Sequence, residues 1–301
     1  MKDERGFALV ITLIITALLV ALAAEFVDEV YVDTSLSHNF VAGQQASILA
    51  ASGVDGGIRL LQFDLAQQTY SSLMDRWAKP LKIEDEQGSL LVTIEEESGK
   101  LNINDFPQNG NLDNNFAAEV ASRLFNNLKL KDSNSLIDAL ADWRGENEIP
   151  HTYGAKTQYY STLKPPYEAK GGRLDTVEEL ALVKGFAGEP LKKLMPLVTV
   201  YDGVQGGINI NTAQQEIIEA LDKQIDADKA KQVLAKRPFS NFAELGNALG
   251  SQSIASGLAT KITFKGSVYR IHSEARVRET SRVVEAVVRI SGIQSTVLYW
   301  R

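Results

Sequence analysis

The longest apolar run of the chain lies at its start. From Phe7 to Ala24, eighteen consecutive residues carry no charge. As a helix they span about 27 Å, close to the hydrocarbon thickness of a bilayer. Lys2 and Arg5 precede the run, and Glu25, Asp28 and Glu29 follow it. Cations on the short leading side favour a cytoplasmic N-terminus with the bulk of the chain outside, although Asp3 and Glu4 cancel them formally. Ala21-Leu22-Ala23 also fits a signal-peptidase site at the end of an apolar segment, which would release a soluble protein. The next forty residues argue against that removal. No proline occurs before Pro80, and Val54, Ile58, Leu61 and Leu65 recur at the spacing of one helix face. Val27, Val30, Tyr31, Val41 and Ile48 extend an apolar stripe upstream, with the helix formers Ala42, Ala46, Ala50 and Ala51 between them. The pattern predicts one helix to roughly residue 66, about 90 Å long, in which Gly53, Gly56 and Gly57 mark a site for a bend.

Further along, residues 88–105 read as a strand, a Ser98-Gly99 turn and a second short strand. Residues 105–204 turn helical: Phe116, Val120, Leu124 and Leu128 share a face, as do Leu136, Leu140 and Trp143. In DTVEELALVKG (175–185), Asp175 stands as N-cap, Glu178 in the capping-box position and Gly185 as terminator. GKLNIN (99–104) is echoed by GGININ (206–211), and VEEL by FAEL, a loose internal duplication. Residues 267–290 alternate in two runs around Arg278-Glu279-Thr280-Ser281, a hairpin signal, and STVLYW (295–300) predicts one more strand. The expected fold class is α+β. It has a long N-terminal helix and an antiparallel sheet from residues 88–104 and 262–300, interrupted by a large all-α insertion.

Composition narrows the function classes. The 301 residues carry a net charge of −7 with scattered cations, a poor footprint for binding nucleic acid. The absence of cysteine excludes disulfides, thiol catalysis, thiolate metal sites and lipidation at cysteine.

A short polar leader ending in Gly6, then Phe7, then an apolar helix resembles the type IV pilins and pseudopilins. The resemblance implies cleavage between Gly6 and Phe7 by a membrane prepilin peptidase and methylation of the new Phe7 amine. Most members carry Glu at the fifth mature position, where this chain has Ile11. A carboxylate in the bilayer is costly unless paired, and in the family it meets the amine of the subunit ahead. A subunit with none ahead has no use for it, so Ile11 implies a place at the filament tip. SGKLNIN, LADW, PPY, VEELALVKG and GININTA occur in the order seen in the minor pseudopilin K family of type II secretion, whose plan is a pilin-like fold interrupted by two SAM-like or helix-hairpin-helix-like blocks. The segments expected on that plan are a leader (1–6), a transmembrane helix (7–27), a periplasmic helix with the first strands (28–104), two helical domains (105–205 and 206–261) and C-terminal strands (262–301). The resemblance implies a non-enzymatic role in an inner-membrane, periplasm-facing assembly. Its partners would be other minor pseudopilins, the major pseudopilin and the inner-membrane assembly platform. The stripe Val41, Ile48, Val54 and Ile58 is expected to pack against partner helices.

The chemistry on offer beyond this is sparse. GININTAQQEIIEAL and RPFSNFAEL also resemble helix-hairpin-helix DNA-binding modules, an alternative in which the chain is a membrane-anchored DNA-binding protein. Its hairpin position, Asp222 to Asp226, has no glycine and two carboxylates; Gly185-Phe186-Ala187-Gly188 with Lys192 and Lys193 is the better phosphate candidate. Asn104 and Asn211 precede helical runs and read as caps. Related K subunits bind calcium through an acidic loop after the Asp-Trp pair, so Asp142, Glu146 and Glu148 are calcium candidates, against the added cations Arg144 and Lys156. No other cofactor is expected. His151 reads as a loop histidine, and Glu95, Glu96 and Glu97 as a solvated strand end. His38, His151 and His272 lie far apart in sequence and give no catalytic constellation.

Overall fold

The computed structural model describes residues 4–86, 88–109, 111–204 and 206–301; the leader residues Lys2 and Asp3 lie outside them. In chain order the elements are α1 (Glu4–Gln67), β1 (Leu81–Glu84), β2 (Gly88–Glu96), β3 (Leu101–Asn102), α2 (Phe116–Asn127), α3 (Ser133–Arg144), α4 (Thr157–Tyr160), α5 (Glu189–Leu194), β4 (Val198–Thr199), β5 (Ile208–Asn209), α6 (Gln215–Leu221), α7 (Ala227–Lys236), α8 (Phe242–Leu249), α9 (Gln252–Gly257), β6 (Ile262–Thr263), β7 (Val268–Val277), β8 (Thr280–Ser291) and β9 (Gln294–Trp300). One five-stranded sheet has the order β1-β2-β7-β8-β9, and β8 pairs antiparallel with β9 through a register shift after Val287. The chain divides into two compact units. One holds the residues up to 53 with 82–91 and 273–284; the other holds 54–81, 92–272 and 285–301.

In the first unit, Ala42 and Ala46 are buried against Val277, with Leu49 packed beside them. Small residues bring the helix close: a Cβ on Gly43 would lie 3.2 Å from the Arg282 guanidinium. All four residues of β1 are exposed. The sequence reading has no strand there, because an edge strand without a buried face leaves no alternation to read.

The second unit contains the duplication, and in the structure it is close at the level of single hydrogen bonds. β3 pairs parallel with β4, and β5 pairs parallel with β6, each over two residues. Asn102 accepts from the Asn104 N–H (2.9 Å), and Asn209 accepts from the Asn211 N–H (3.0 Å). The Asn104 amide donates to the carbonyls of Leu174 (2.8 Å) and Val200 (2.7 Å) and accepts from the Leu174 N–H (2.9 Å). Asn211 repeats this with the Phe239 carbonyl (2.8 Å), the Phe264 carbonyl (3.1 Å) and the Phe239 N–H (2.8 Å). Glu179 then accepts from the Asp175 N–H, and Glu244 from the Ser240 N–H.

These geometries correct several expectations. Asn104 and Asn211 are clamps inside the core, not helix caps; Asn115 caps α2 by accepting from the Ala118 N–H (2.8 Å). The carboxylate that caps the turn after Asp175 is that of Glu179, not Glu178, and residues 177–182 form a 3-10 helix. Residues 101–102 and 262–263 leave the sheet for the short parallel ladders. Gly99 permits this crossing, since a Cβ there would press on the Thr212 hydroxyl and the Ala213 N–H. The helix expected to roughly residue 66 runs unbroken to Gln67 through the glycines near residue 56. Gly57 instead lets the helix approach the sheet, its Cα facing Ile271 and Ile94 closely enough that a Cβ would sit 3.2 and 3.5 Å from their methyl groups.

Both modules share one apolar core, which includes Val120, Leu124, Leu140 and Phe186 from the first and Ile217, Ile218, Val233 and Leu245 from the second. The Arg123 guanidinium ties them by donating to the carbonyls of Ala220 (2.6 Å) and Leu221 (3.1 Å) at the end of α6, where cations also suit the helix dipole. The end of α1 is held the same way: the Lys265 ammonium donates to the carbonyls of Leu65 (2.5 Å) and Gln68 (2.7 Å).

Glu96 and Glu97 are 4% and 1% exposed, so they are not a solvated strand end. Glu97 is held below the usual carboxylate range: burial opposes this, but Lys100 (3.0 Å) and Arg270 (2.8 Å) outweigh it. Among the described residues no cation pairs with Glu96. It accepts from Asn209 (2.7 Å), Ser71 (2.9 Å) and Thr212 (3.1 Å), and burial, opposed by those hydrogen bonds and one from Tyr269, pushes its pKa up to about 7.

Two predictions follow from these buried groups. Asn104→Ala or Asn211→Ala strands two carbonyls and one N–H and should each cost about 4 kcal/mol. Asn115→Ala, which removes a cap, should cost about 1 kcal/mol; urea unfolding of the full chain in detergent reads the difference. Because the folded-state pKa of Glu96 is raised, its stabilisation is complete below its ordinary value and is lost as pH climbs to about 7. Glu96→Gln should therefore flatten the stability profile between about pH 4.5 and 7, by on the order of 3 kcal/mol across that window.

Candidate functional site in the apolar helix and the loop after Trp143

Residues 6–34 of α1 are exposed all round, among them Phe7, Leu13 and Leu19. The helix is long and apolar enough to cross a membrane. The two hydroxyls of the Phe7–Ala24 run are satisfied within the helix: Thr12 donates to the carbonyls of Ala8 (3.1 Å) and Leu9 (2.9 Å), and Thr16 to that of Thr12. That is the condition under which polar groups enter lipid. Gly6 has open space around its Cα, and Ile11 is 40% exposed among the other apolar side chains.

The expected partner stripe does not survive as one surface. Val41 and Ile48 are exposed (49% and 67%), whereas Val54 is fully buried and Ile58 is half-buried. Val41 and Ile48 lie about 20° apart around the helix and Val54 and Ile58 about 40° apart, but the two pairs point to different sides, and sequence spacing does not tell which side the chain covers itself. Val41 and Ile48 remain available to a partner; Val54 does not.

In the last turn of α3, Asp142 is fully buried. Its carboxylate accepts from the His151 N–H (3.1 and 3.2 Å) and lies 2.6 Å from His151 Nδ1. Gly154 is required here, because a Cβ would run into the Asp142 carboxylate. The Lys156 ammonium, 9% exposed, donates to the carbonyls of Asp142 (2.7 Å) and Gly145 (2.8 Å). Burial lowers its pKa, with the charge of Asp142 opposing. The buried Arg144 guanidinium donates to the Phe106 carbonyl, and burial brings its pKa down to about 10. Glu146 and Glu148 are exposed. Among the described residues no three acidic or histidine side chains converge. Calcium needs six to eight oxygens, and the residues present do not fit it: the carbonyls that converge are taken by an ammonium. Composition marked Lys156 only as an added cation; its two carbonyl partners are set by backbone geometry that sequence spacing does not reveal.

Part of the phosphate-candidate set is engaged internally. Asp222 accepts from the Gln224 N–H (2.9 Å) and Asp226 from the Lys229 N–H (2.9 Å), so carboxylates hold the amides of that hairpin. Lys193 donates to the Leu128 carbonyl (3.2 Å) and Lys192 lies 4.0 Å from Glu189.

Two family models match the chain, both described as type II secretion system protein K: the first-domain model over residues 99–203 and a second over 208–265. Together they cover more than half of it. The chain belongs to the type II secretion system protein K family. Each matched stretch contains one of the two asparagine-clamped modules. The protein K of Aeromonas hydrophila is 25% identical over 95% of this chain and 93% of its own length. That of Pseudomonas aeruginosa is 26% identical over 85% and 82%. The solved GspK-GspI-GspJ complex of enterotoxigenic Escherichia coli contains a chain with the same fold. Its TM-score is 0.77 at 20% identity, covering 89% of this chain and 98% of that one. The family is that of a minor pseudopilin of type II secretion, and the exposed apolar helix fits a single membrane anchor with a soluble remainder.

The division of the stripe is open to test by stability. Val54→Ala should cost about 2 kcal/mol by leaving a cavity, while Ile48→Ala should change urea unfolding by less than about 0.5 kcal/mol.

Proposed function

We propose that this chain caps the tip of the type II secretion pseudopilus and so supports export of folded proteins across the outer membrane. The observation that carries the reading is α1: uncharged from Phe7 to Ala24 and exposed through residues 6–34, with Ile11 at the place where most pilin-like subunits carry Glu. Prepilin peptidase cleaves between Gly6 and Phe7, and the Phe7 amine is methylated. The helix holds the subunit in the inner membrane with the bulk of the chain in the periplasm, and later packs into the filament. With no carboxylate at Ile11, the subunit has nothing to offer the amine of a subunit ahead of it, and the two helical modules crown the end. The role is architectural rather than catalytic.

The partners are two smaller minor pseudopilins, counterparts of the GspI and GspJ named with GspK in the related complex, together with the major pseudopilin below and the assembly platform in the membrane. Val41 and Ile48 form the contact left open on the helix.

The chain has no cysteine, so a single introduced thiol reports one position. In cells with the native secretion machinery, Ile48→Cys should crosslink to a minor pseudopilin carrying a matching thiol, and Val54→Cys should not. The mature chain should begin at methylated Phe7 by intact mass. A chain that starts at Ala24, or an Ile48→Cys subunit crosslinked along the filament shaft instead of at its end, would defeat the reading.

A further inference from the structure

We infer that the loop from Arg144 to Gly172 is organised around a fixed internal cation, the Lys156 ammonium, which takes the position a divalent ion would need and leaves the loop without metal dependence. This concerns the loop itself and stands apart from the tip reading. Three observations carry it.

The first is the donor set. Two backbone carbonyls, Asp142 and Gly145, turn inward to a common point, and Lys156 Nζ occupies it at 2.7 and 2.8 Å. Inward-turned carbonyls in a loop must meet a cation or a hydrogen-bond donor, because burying them unpaired is costly. An ammonium supplies up to three donors in one compact charge.

The second is charge. Among the described residues Asp142 is the carboxylate buried beside that point, and it already receives the His151 backbone N–H and lies 2.6 Å from its Nδ1. One ammonium against one carboxylate leaves no net negative charge to draw in a doubly charged ion. Glu146 and Glu148, which would restore it, are exposed.

The third is space. A Cβ at Gly145 would stand 3.2 Å from Lys156 Nζ, and one at Gly154 would overlap the Asp142 carboxylate. The glycines let the backbone close tightly on the ammonium–carboxylate pair. Gly171 completes the wrap by donating its N–H to the Trp143 carbonyl (2.8 Å). The shape the loop presents is then independent of the divalent-ion concentration around it.

The test uses the full chain in detergent. Chymotrypsin probes the loop at Tyr153 and Tyr159, which are both exposed, and radioactive calcium probes metal binding by equilibrium dialysis. The wild-type cleavage rate should be the same in EDTA as in millimolar calcium, and no calcium should be retained. Lys156→Met should speed loop cleavage by about tenfold or more, since it removes two charge-assisted hydrogen bonds. Calcium retention by the wild type that Asp142→Asn abolishes would overturn the inference, as would calcium-dependent protection of the wild-type loop. Cleavage of Lys156→Met at the wild-type rate would do the same. If Lys156→Met fails to fold, the wild-type arms decide alone.

Discussion

Two asparagine side chains set the limits within which the second unit is built. Asn104 and Asn211 each engage two carbonyls and one N–H from segments far away in sequence. Ladders of two residues cannot hold parallel strands together by their own hydrogen bonds. The clamps supply the missing partners, and a buried amide with both ends satisfied tolerates only one arrangement of the segments around it. The apolar core then fills the space between clamped backbones. Arg123 and Lys265 serve the same end from outside, each closing the open carbonyls of a helix terminus.

How much of this was legible follows from what each signal encodes. The apolar run, the hairpin around Arg278, the strand at the C-terminus and the faces of α2 and α3 are periodic, and periodicity survives in sequence. The repeated Asn-x-Asn was visible as an echo, but its meaning was not. The partners of Asn104 lie 70 residues away, and a single asparagine reads equally well as a cap. Glu96 and Glu97 were misread because neighbouring charges at a strand end look solvated until tertiary packing brings Ser71, Asn209 and Arg270 onto them. β1 was missed for the opposite reason, having no buried side from which to infer it.

Function was carried by a different kind of information. The family was legible because the junction at Gly6-Phe7 and an ordered set of short motifs act together. Helix geometry already sets Val54 and Ile48 about 120° apart, but which of the two sides the chain covers itself was not legible, because only burial shows it. The loop after Trp143 shows the limit most clearly: its acidic residues suggested a metal, and the decisive atoms are backbone carbonyls met by a lysine.

The duplicated modules differ in one dimension that affects how the chain reaches its native state. In the first, the clamp joins residues 70 apart; in the second, 28 apart. Bringing the more distant pair together loses more chain entropy, by about 0.8 kcal/mol on the logarithmic scaling of loop closure. The second module's clamp thus closes at the smaller entropic cost, and the longer span of the first leaves more chain between its clamped segments.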